Sequence, residues 1–169
     1  YTLSLHDALP IEVEVLRSPN SARFGSDALA GVVSLTTAHG TTPLPLFTYA
    51  ADGGNFGTYH QEGSVGGAVR QFDYFSDFSG IYTRGNLPRD AFHNATYAGN
   101  FGWTPLANTS LRLTVRHINN SVDLPNAIQL YGIPDAEGQI DSNTYIGLTL
   151  ENQTTDRWHN LLRYGRVRL

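Results

Sequence analysis

The amino-acid sequence predicts an all-β protein made mostly of antiparallel strands, and three observations predict this class. Apolar and polar residues alternate over several long stretches, which is the period of a strand with two unlike faces. Turn-forming residues separate these stretches along the chain. The composition, with 17 Gly, 9 Tyr and no Met, is unlike that of a helical soluble enzyme.

Composition also excludes several kinds of site. The chain has no Cys, so neither a disulfide framework nor a thiolate metal site can form. A net charge of −4 gives no sign of nucleic-acid binding. The six His residues show no H-E-x-x-H spacing, and neither a G-x-S-x-G elbow nor a phosphate-binding glycine loop is present. We therefore predict no catalytic residue, metal or cofactor.

The first patterned segment runs from residue 12 to residue 37. Glu12–Leu16 alternates as a strand does, and Pro19 then interrupts it because proline has no N–H to extend a ladder. Ser21–Ala30 has the spacing of a helical turn or two, which Gly31 ends. Val32–Thr37 is a second, β-branched strand. A soluble α+β domain could contain the same unit.

From Leu44 onward the sequence predicts seven strands, six of which have one apolar and one polar face. The apolar face includes Phe47, Tyr49, Ala51, Tyr59, Val65, Val69, Phe72, Tyr74, Phe78, Tyr82, Ala95, Tyr97, Phe101, Trp103, Leu111, Leu113, Val115, Ile146, Leu148 and Leu150. The polar face includes His60, Glu62, Ser64, Asp73, Asp77, Ser79, Asn94, Thr96, Asn100, Arg112, Thr114, Arg116, Tyr145, Thr149 and Glu151. The seventh strand, from Trp158 onward, has no clear facing.

Short and long connections alternate between these strands. The short ones are predicted at Arg70-Gln71, Thr104–Asn108 and Gln153–Asp156, and the long ones at Arg84–Asp90 and Asn119–Asn143. Outer-membrane barrels have short turns at one end and long loops at the other.

Aromatic residues fall near the predicted strand ends, as the interfacial girdles of such barrels require. They are Tyr59, Phe72, Tyr74, Tyr82, Phe101, Trp103, Tyr145 and Trp158. A wet lumen can solvate the ionisable groups of the polar face, which a packed core could not. A soluble β-sandwich or solenoid would explain the alternation equally well but the charged face less well.

We therefore predict an all-β membrane protein with a partial antiparallel transmembrane β-barrel of about seven strands. No run of about 20 apolar residues is present, but a barrel strand needs only about 9–11 residues. An odd number of strands cannot close a bacterial single-chain barrel, so we expect an open sheet with two unpaired edges.

The segment from Glu12 to Thr37 resembles the end of the plug domain of TonB-dependent outer-membrane receptors, usually written IExIEVLRGPxSAxYGSxAxGGVINIxT. The matching positions are Val13, Glu14, Val15, Leu16, Arg17, Pro19, Ser21, Ala22, Gly25, Ser26, Ala28, Gly31, Val32 and Val33. Ser18, Phe24 and Ala30 depart from the pattern, where the family has Gly, Tyr and Gly.

The resemblance implies a division of the chain. Residues 12–40 would be the C-terminal part of a plug domain and residues 44–169 the N-terminal part of the barrel. Residues 1–11 resemble a peptide that recurs when sequencing-adapter bases are translated, and the alternative is a genuine but divergent plug segment. We expect the chain to be a fragment of a longer receptor.

The resemblance also implies a function, which is energy-coupled uptake of a scarce ligand across the outer membrane of a Gram-negative-type bacterium. The ligand would be a ferric siderophore, haem or cobalamin, and the plug would gate the barrel lumen without covalent chemistry. The implied partners are the TonB complex, through an N-terminal box absent from this sequence, and outer-membrane lipid.

In such receptors the arginine of the turn after the first plug strand pairs with barrel glutamates, which makes Arg17 the main candidate for a gating contact. Glu14 and Arg23 are weaker candidates for the same plug–barrel interface, with Glu12 and Asp27. Gly25 and Gly31 would allow turns or close approach of the plug to the barrel wall. We expect the plug segment to lie against the polar face of the sheet.

Ligand contacts would come from the loops, where Tyr131, Asp135 and Glu137 are candidates. The acidic residues there do not have calcium-loop spacing, and a solvated loop is the simpler interpretation. Two alternatives to the receptor stay open. One is a passive outer-membrane barrel or barrel enzyme, and the other is a soluble β-rich module that binds a ligand or carbohydrate.

Overall fold

The computed structural model describes residues 10–17, 31–124, 132 and 137–169, with the backbone alone for residues 10–14 and 33–36. The chain divides into two compact units, Tyr1–Ala38 and His39–Leu169. Among the described residues every regular element is a strand except one turn of 3-10 helix at Asn55–Gly57. No helix in this part of the chain is long and apolar enough to cross a membrane.

The first unit contains an antiparallel pair of strands, β1 (Pro10–Leu16) and β2 (Val32–Thr37), with Val15 opposite Val33. The strand predicted at Val32–Thr37 is confirmed with the same bounds. The other begins two residues earlier than predicted, with an irregular step between Pro10 and Glu12. The helical turn predicted at Ser21–Ala30 lies outside the described residues.

The second unit is one sheet of seven antiparallel strands. They are β3 (Leu46–Gly53), β4 (Tyr59–Val69), β5 (Phe72–Thr83), β6 (Phe92–Leu106), β7 (Thr109–Leu124), β8 (Glu137–Thr155) and β9 (Trp158–Arg168). Each strand pairs with the next in chain order, which leaves β3 and β9 at the edges. The predicted open, antiparallel sheet of seven strands is confirmed.

The connections alternate in length, as predicted. Turns at residues 70–71, 107–108 and 156–157 join strands at one end of the sheet, which we call the short-turn end. Residues 54–58 and 84–91 join them at the other, the long-loop end, where β7 also ends and β8 begins. Antiparallel strands joined in sequence place every second connection at the same end, so all the short turns lie together.

The turn predicted at Thr104–Asn108 is wrong in extent. Strand β6 continues to Leu106, with an irregular step between Trp103 and Leu106 that accommodates Pro105. Local hydrogen bonds hold this step: Thr104 N–H donates to the carbonyl of Gln71 at 2.8 Å, and Gln71 Nε2 donates to the Pro105 carbonyl at 3.2 Å. Strand β6 therefore continues past Pro105 to Leu106, whereas the sequence predicts a turn from Thr104 onward.

The long loop predicted at Asn119–Asn143 is also wrong in extent, because most of it is strand. Strands β7 and β8 remain paired from Asn119 opposite Ser142 to Leu124 opposite Glu137. Polar residues occupy both faces there, so the sequence alternation that marks a strand disappears while the backbone pairing continues. At the other end β8 reaches Thr155, and the turn is residues 156–157 rather than Gln153–Asp156.

Candidate functional site: the two faces of the sheet

The pairing register confirms that the two predicted faces are continuous across strands. One row runs through Phe72, Trp103, Leu111, Leu150 and Leu162. The next row along the strands, on the opposite face, runs through Asp73, Gly102, Arg112, Thr149 and Arg163. Because side chains alternate along a strand, every second row belongs to the same face. We call the first set of rows the apolar face and the second the polar face.

The apolar face is exposed. Large side chains on it have accessible fractions of 68% for Phe47, 57% for Tyr49, 54% for Tyr97 and 44% for Phe101. Leu113, in the middle of this face, is 36% exposed. Soluble monomers rarely expose contiguous apolar surface of this kind, and a larger patch marks an interaction with protein or membrane.

The polar face is the more buried of the two. Ser64, Ser79, Thr96 and Asn100 are only 9%, 5%, 2% and 4% exposed, and all four lie on this face. Thr96 is the one large side chain below 2% exposure among the described residues. A water-soluble protein buries apolar and exposes polar side chains, so this sheet has the inverse arrangement.

The apolar residues form a band that crosses the rows obliquely. At the long-loop end, the last large apolar residue on this face is Tyr82 on β5, Val115 on β7 and Tyr164 on β9. Val115 lies in the row of Ser76, so across these three strands the limit of the band descends, whereas Ile140 on β8 lies on this face in the row of Tyr82. A horizontal apolar band on strands tilted by about 35–45° gives this diagonal pattern.

Beyond the band toward the long-loop end, the same face becomes polar. On β7 the residues after Val115 are His117, Asn119 and Ser121, and His117 Nδ1 lies 2.9 Å from Thr144 Oγ1. On β9, Arg166 and Arg168 follow Tyr164 on this face and are exposed. Long cationic side chains beside an apolar band can carry their charge away from it along an apolar stem.

Stacked aromatic pairs mark the two limits of the band on β5. At the short-turn end Phe72 and Trp103 stack with ring centroids 5.8 Å apart, and at the long-loop end Tyr59 and Tyr82 stack at 5.2 Å. Phe72 and Tyr82 are roughly 33 Å apart along the strand at about 3.3 Å per residue.

Three predicted girdle residues do not belong to these limits. Tyr74 and Phe101 lie together in the row of Leu113, in the middle of the band. Tyr145 lies in the interior of β8 on the polar face, opposite Arg116. The prediction placed it at a strand end because β8 was expected to begin near residue 144, whereas it begins at Glu137.

An ion pair on the polar face spans three strands. Arg112 Nη1 and Nη2 on β7 donate to Asp73 Oδ1 and Oδ2 on β5, each at 3.0 Å, and Nη1 also donates to Asn100 Oδ1 at 2.7 Å. Between them on β6 lies Gly102, where a Cβ would overlap the Asp73 carboxylate and lie 2.6 Å from Arg112 Nη2. The glycine therefore leaves the space through which the guanidinium and the carboxylate meet.

A second row of the same kind lies four residues along the strands, through Asp77, Ala98 and Arg116. Arg116 Nε is buried and has no hydrogen-bond partner, the one such side-chain atom found in the described part of the chain. Near the long-loop end, His60 Nδ1 lies 2.9 Å from Asp52 Oδ1, and its Nε2 lies 3.9 Å from Glu62 Oε2. The polar face thus holds charges of both signs.

The candidate gating residues lie in the first unit. Arg17 directly follows β1 and is exposed, and no ion pair formed among the described residues includes it. Glu14 lies in β1 opposite Ser34. Gly31 lies next to the end of β1, where a Cβ would lie 2.7 Å from the Leu16 carbonyl oxygen, so close backbone approach requires a glycine there. Arg23 and Gly25 lie outside the described residues.

Of the candidate ligand contacts, Glu137 is the first residue of β8 and is exposed. Tyr131 and Asp135 lie outside the described residues. Among the residues that the structure describes, no group of three or more His, Asp or Glu side chains is placed to hold a metal ion.

The sequence did not reveal the contacts of the polar face. Asp73 and Arg112 were assigned to the right face, but their pairing depends on the register of three strands and on Gly102. An Asp and an Arg on one face, with a glycine on the strand between them, are the only signal the sequence offers.

No family model matches the chain, and a comparison with the curated proteins finds no match.

Proposed function

We propose that the chain comprises the end of a plug domain and the first strands of the barrel of a TonB-dependent outer-membrane receptor. Its activity is energy-coupled uptake of a scarce ligand such as a ferric siderophore, haem or cobalamin. The plug segment gates the lumen, the apolar face contacts outer-membrane lipid, and the protein is not an enzyme.

The observation that carries the membrane part of the proposal is the oblique apolar band on the exposed face. A β-sandwich would cover that face with a second sheet. A tilted strand in a bilayer instead exposes a band of limited height to lipid and leaves polar side chains toward the lumen. The alternation of short turns and long loops adds independent support.

The receptor part of the proposal depends on the plug-like segment. The wording around Arg17 and Gly31 is typical of the family, and passive barrels and barrel enzymes have no need of a plug. An exposed arginine after a strand is available for a planar, bidentate contact with a carboxylate of another segment. Such a contact can hold a plug in place and still separate when the plug is pulled.

A pair of adjacent substitutions tests the membrane part. Leu113 lies in the centre of the apolar band and Thr114 is the next residue on the polar face. In lipid vesicles, Leu113→Lys should reduce the free energy of insertion by about 2–4 kcal/mol, because a charged side chain then faces hydrocarbon. Thr114→Lys should cost less than about 1 kcal/mol, because its charge faces water.

The measurement is urea-dependent folding into vesicles of the complete barrel that these strands would begin, followed by tryptophan fluorescence, because an open sheet of seven strands would leave unpaired edges in hydrocarbon. Equal costs at the two positions, or recovery of the chain in the aqueous phase after detergent phase separation, would refute the membrane assignment. The second result would favour the soluble β-rich binding module.

A genetic experiment tests the receptor part. In the source bacterium, disruption of the gene should abolish growth when one ferric siderophore, haem or cobalamin is the limiting nutrient. Disruption of TonB should produce the same loss. Uptake that persists without TonB would indicate a passive barrel instead.

A further inference from the structure

A pocket of about 310 Å³ lies on the apolar side of the sheet at the long-loop end, above the band. Four of its lining residues, Tyr59, Tyr82, His93 and Ser121, occupy one row across β4, β5, β6 and β7. Asp123 follows Ser121 by two residues and therefore lies on the same side. Its volume is at the lower end of the range for small-molecule sites, so it fits one small ligand or headgroup.

The aromatic side of the pocket is ordered by stacking. Tyr59 and Tyr82 stack at 27° between ring planes, and His93 meets Tyr82 edge-on, with centroids 6.4 Å apart and 62° between planes. Tyr59 remains 52% exposed, so its ring is accessible to a ligand. The aromatic face carries negative quadrupole density and attracts a cation placed over it.

The opposite side of the pocket provides a negative charge. Backbone pairing fixes Asp123, because its N–H donates to the Ala91 carbonyl at 2.8 Å. On the neighbouring strand Asp123 lies opposite Gly138. A Cβ added at that glycine would be 3.5 Å from Asp123 Oδ1, which is an ordinary contact distance, so no side chain crowds the carboxylate there. None of the ion pairs among the described residues includes this carboxylate.

The charges of the lining select the class of ligand. The pocket contains no Lys or Arg, which an anionic ligand would need. Two tyrosine rings and one carboxylate without an ion-pair partner suit a weakly hydrated organic cation, which gains from ring faces and charge together. We propose that this pocket binds an alkylammonium group, either as a free small cation or as the headgroup of a zwitterionic lipid.

The test uses the full chain in a polyoxyethylene detergent, which contains neither sugar nor ammonium. Ligand-observed NMR follows the N-methyl protons of choline chloride, with glucose as the neutral comparison. We expect saturable choline binding with a Kd on the order of 1 mM, and none with glucose.

Variants locate the site. Asp123→Asn should raise the Kd at least about fivefold, and Tyr82→Leu should do the same, whereas Tyr82→Phe keeps the ring and should change it less than about twofold. Asp141→Asn is the matched control, since it removes one carboxylate near the same end on the polar face. Circular dichroism checks that each variant is folded.

The outcomes separate the possibilities. Absence of saturable choline binding, glucose binding that Asp123→Asn leaves unchanged, or loss of binding in Asp141→Asn instead of Asp123→Asn would overturn the proposal. A short-chain phosphatidylcholine that competes more strongly than choline would identify the ligand as a lipid headgroup, and the reverse order a free cation. This inference does not rest on the receptor function, because it is argued from the residues that line the pocket, and the choline titration has a readout separate from the insertion experiment.

Discussion

The ion pair between Asp73 and Arg112 requires a residue without a side chain at position 102. In Gly102→Ala the added methyl group would occupy the space of the Asp73 carboxylate and press on Arg112 Nη2. The methyl group would collide with the carboxylate of Asp73 and the guanidinium of Arg112. The strands can therefore stay in register only if these two charged groups move apart. The predicted effect is therefore loss of the ion pair with the sheet retained.

The magnitude follows from the burial of the two side chains, which are 36% exposed for Arg112 and 18% for Asp73. Hydrogen bonds to charged groups contribute about 1.5–3 kcal/mol, and partial exposure favours the lower part of that range. Replacing glycine in a strand returns about 0.5–1 kcal/mol of chain entropy. The free energy of unfolding should therefore fall by about 0.5–1.5 kcal/mol.

Equilibrium unfolding in urea, followed by the fluorescence of Trp103 and Trp158, measures this loss. Gly165→Ala is the matched control, because Gly165 is a strand glycine on the polar face with nothing within 4 Å of an added Cβ. It should leave stability unchanged or raise it slightly. In an Asp73→Ala background, Gly102→Ala should cost nothing further. Additive costs in the double variant, or a Gly102→Ala protein as stable as the parent, would refute this reasoning.

Three further substitutions test other parts of the structure. Arg112→Lys keeps the charge but loses the bidentate fork, and should reduce the unfolding free energy by about 1 kcal/mol in the same urea titration. Gly40→Ala should reduce it by about 1–3 kcal/mol, because its Cβ would overlap the carbonyl oxygens of Gly67 and Tyr74, whereas Gly54→Ala, whose Cβ would only reach ordinary contact with Thr58 Cβ at 3.6 Å, should not. Phe72→Ala removes the ring stacked on Trp103, and should shift tryptophan emission to the red with a loss of about 0.5–1.5 kcal/mol beyond the lost burial. Unchanged emission would show that the two rings do not stack in the folded protein.

The sequence predicted the parts of this fold that depend on period two. Strand number and the two faces of six strands follow from alternation, because a strand places successive side chains on opposite sides. Antiparallel order follows from the short connections, and the open edges from the odd number of strands. Alternation fails where both faces are polar, and for that reason the sequence predicts a loop between Asn119 and Asn143 where the structure has paired strand residues. The turn predicted around Pro105 is also wrong in extent, because an irregular step in β6 accommodates the proline.

Contacts across strands could not be predicted, because they depend on register. The sequence placed Asp73 and Arg112 on the same face but not in the same row, and Gly102 was assigned no role. The aromatic row of Tyr59, Tyr82 and His93 is another product of register. The oblique course of the apolar band likewise becomes visible only when the strands are aligned. The predicted roles of Arg17, Glu14 and Arg23 in gating stay predictions.

The most direct test of the central claim is to measure which side chains of β7 face lipid. The chain has no Cys, so a single Cys introduced at Leu113, Thr114 or Val115 gives a unique site for a polarity-sensitive fluorophore. In lipid vesicles, probes at 113 and 115 should emit at short wavelength and be quenched by a lipid-borne quencher, whereas a probe at 114 should be quenched by aqueous iodide. Water exposure at all three positions, or lipid contact at 114 alone, would contradict the assignment of the apolar face to the membrane.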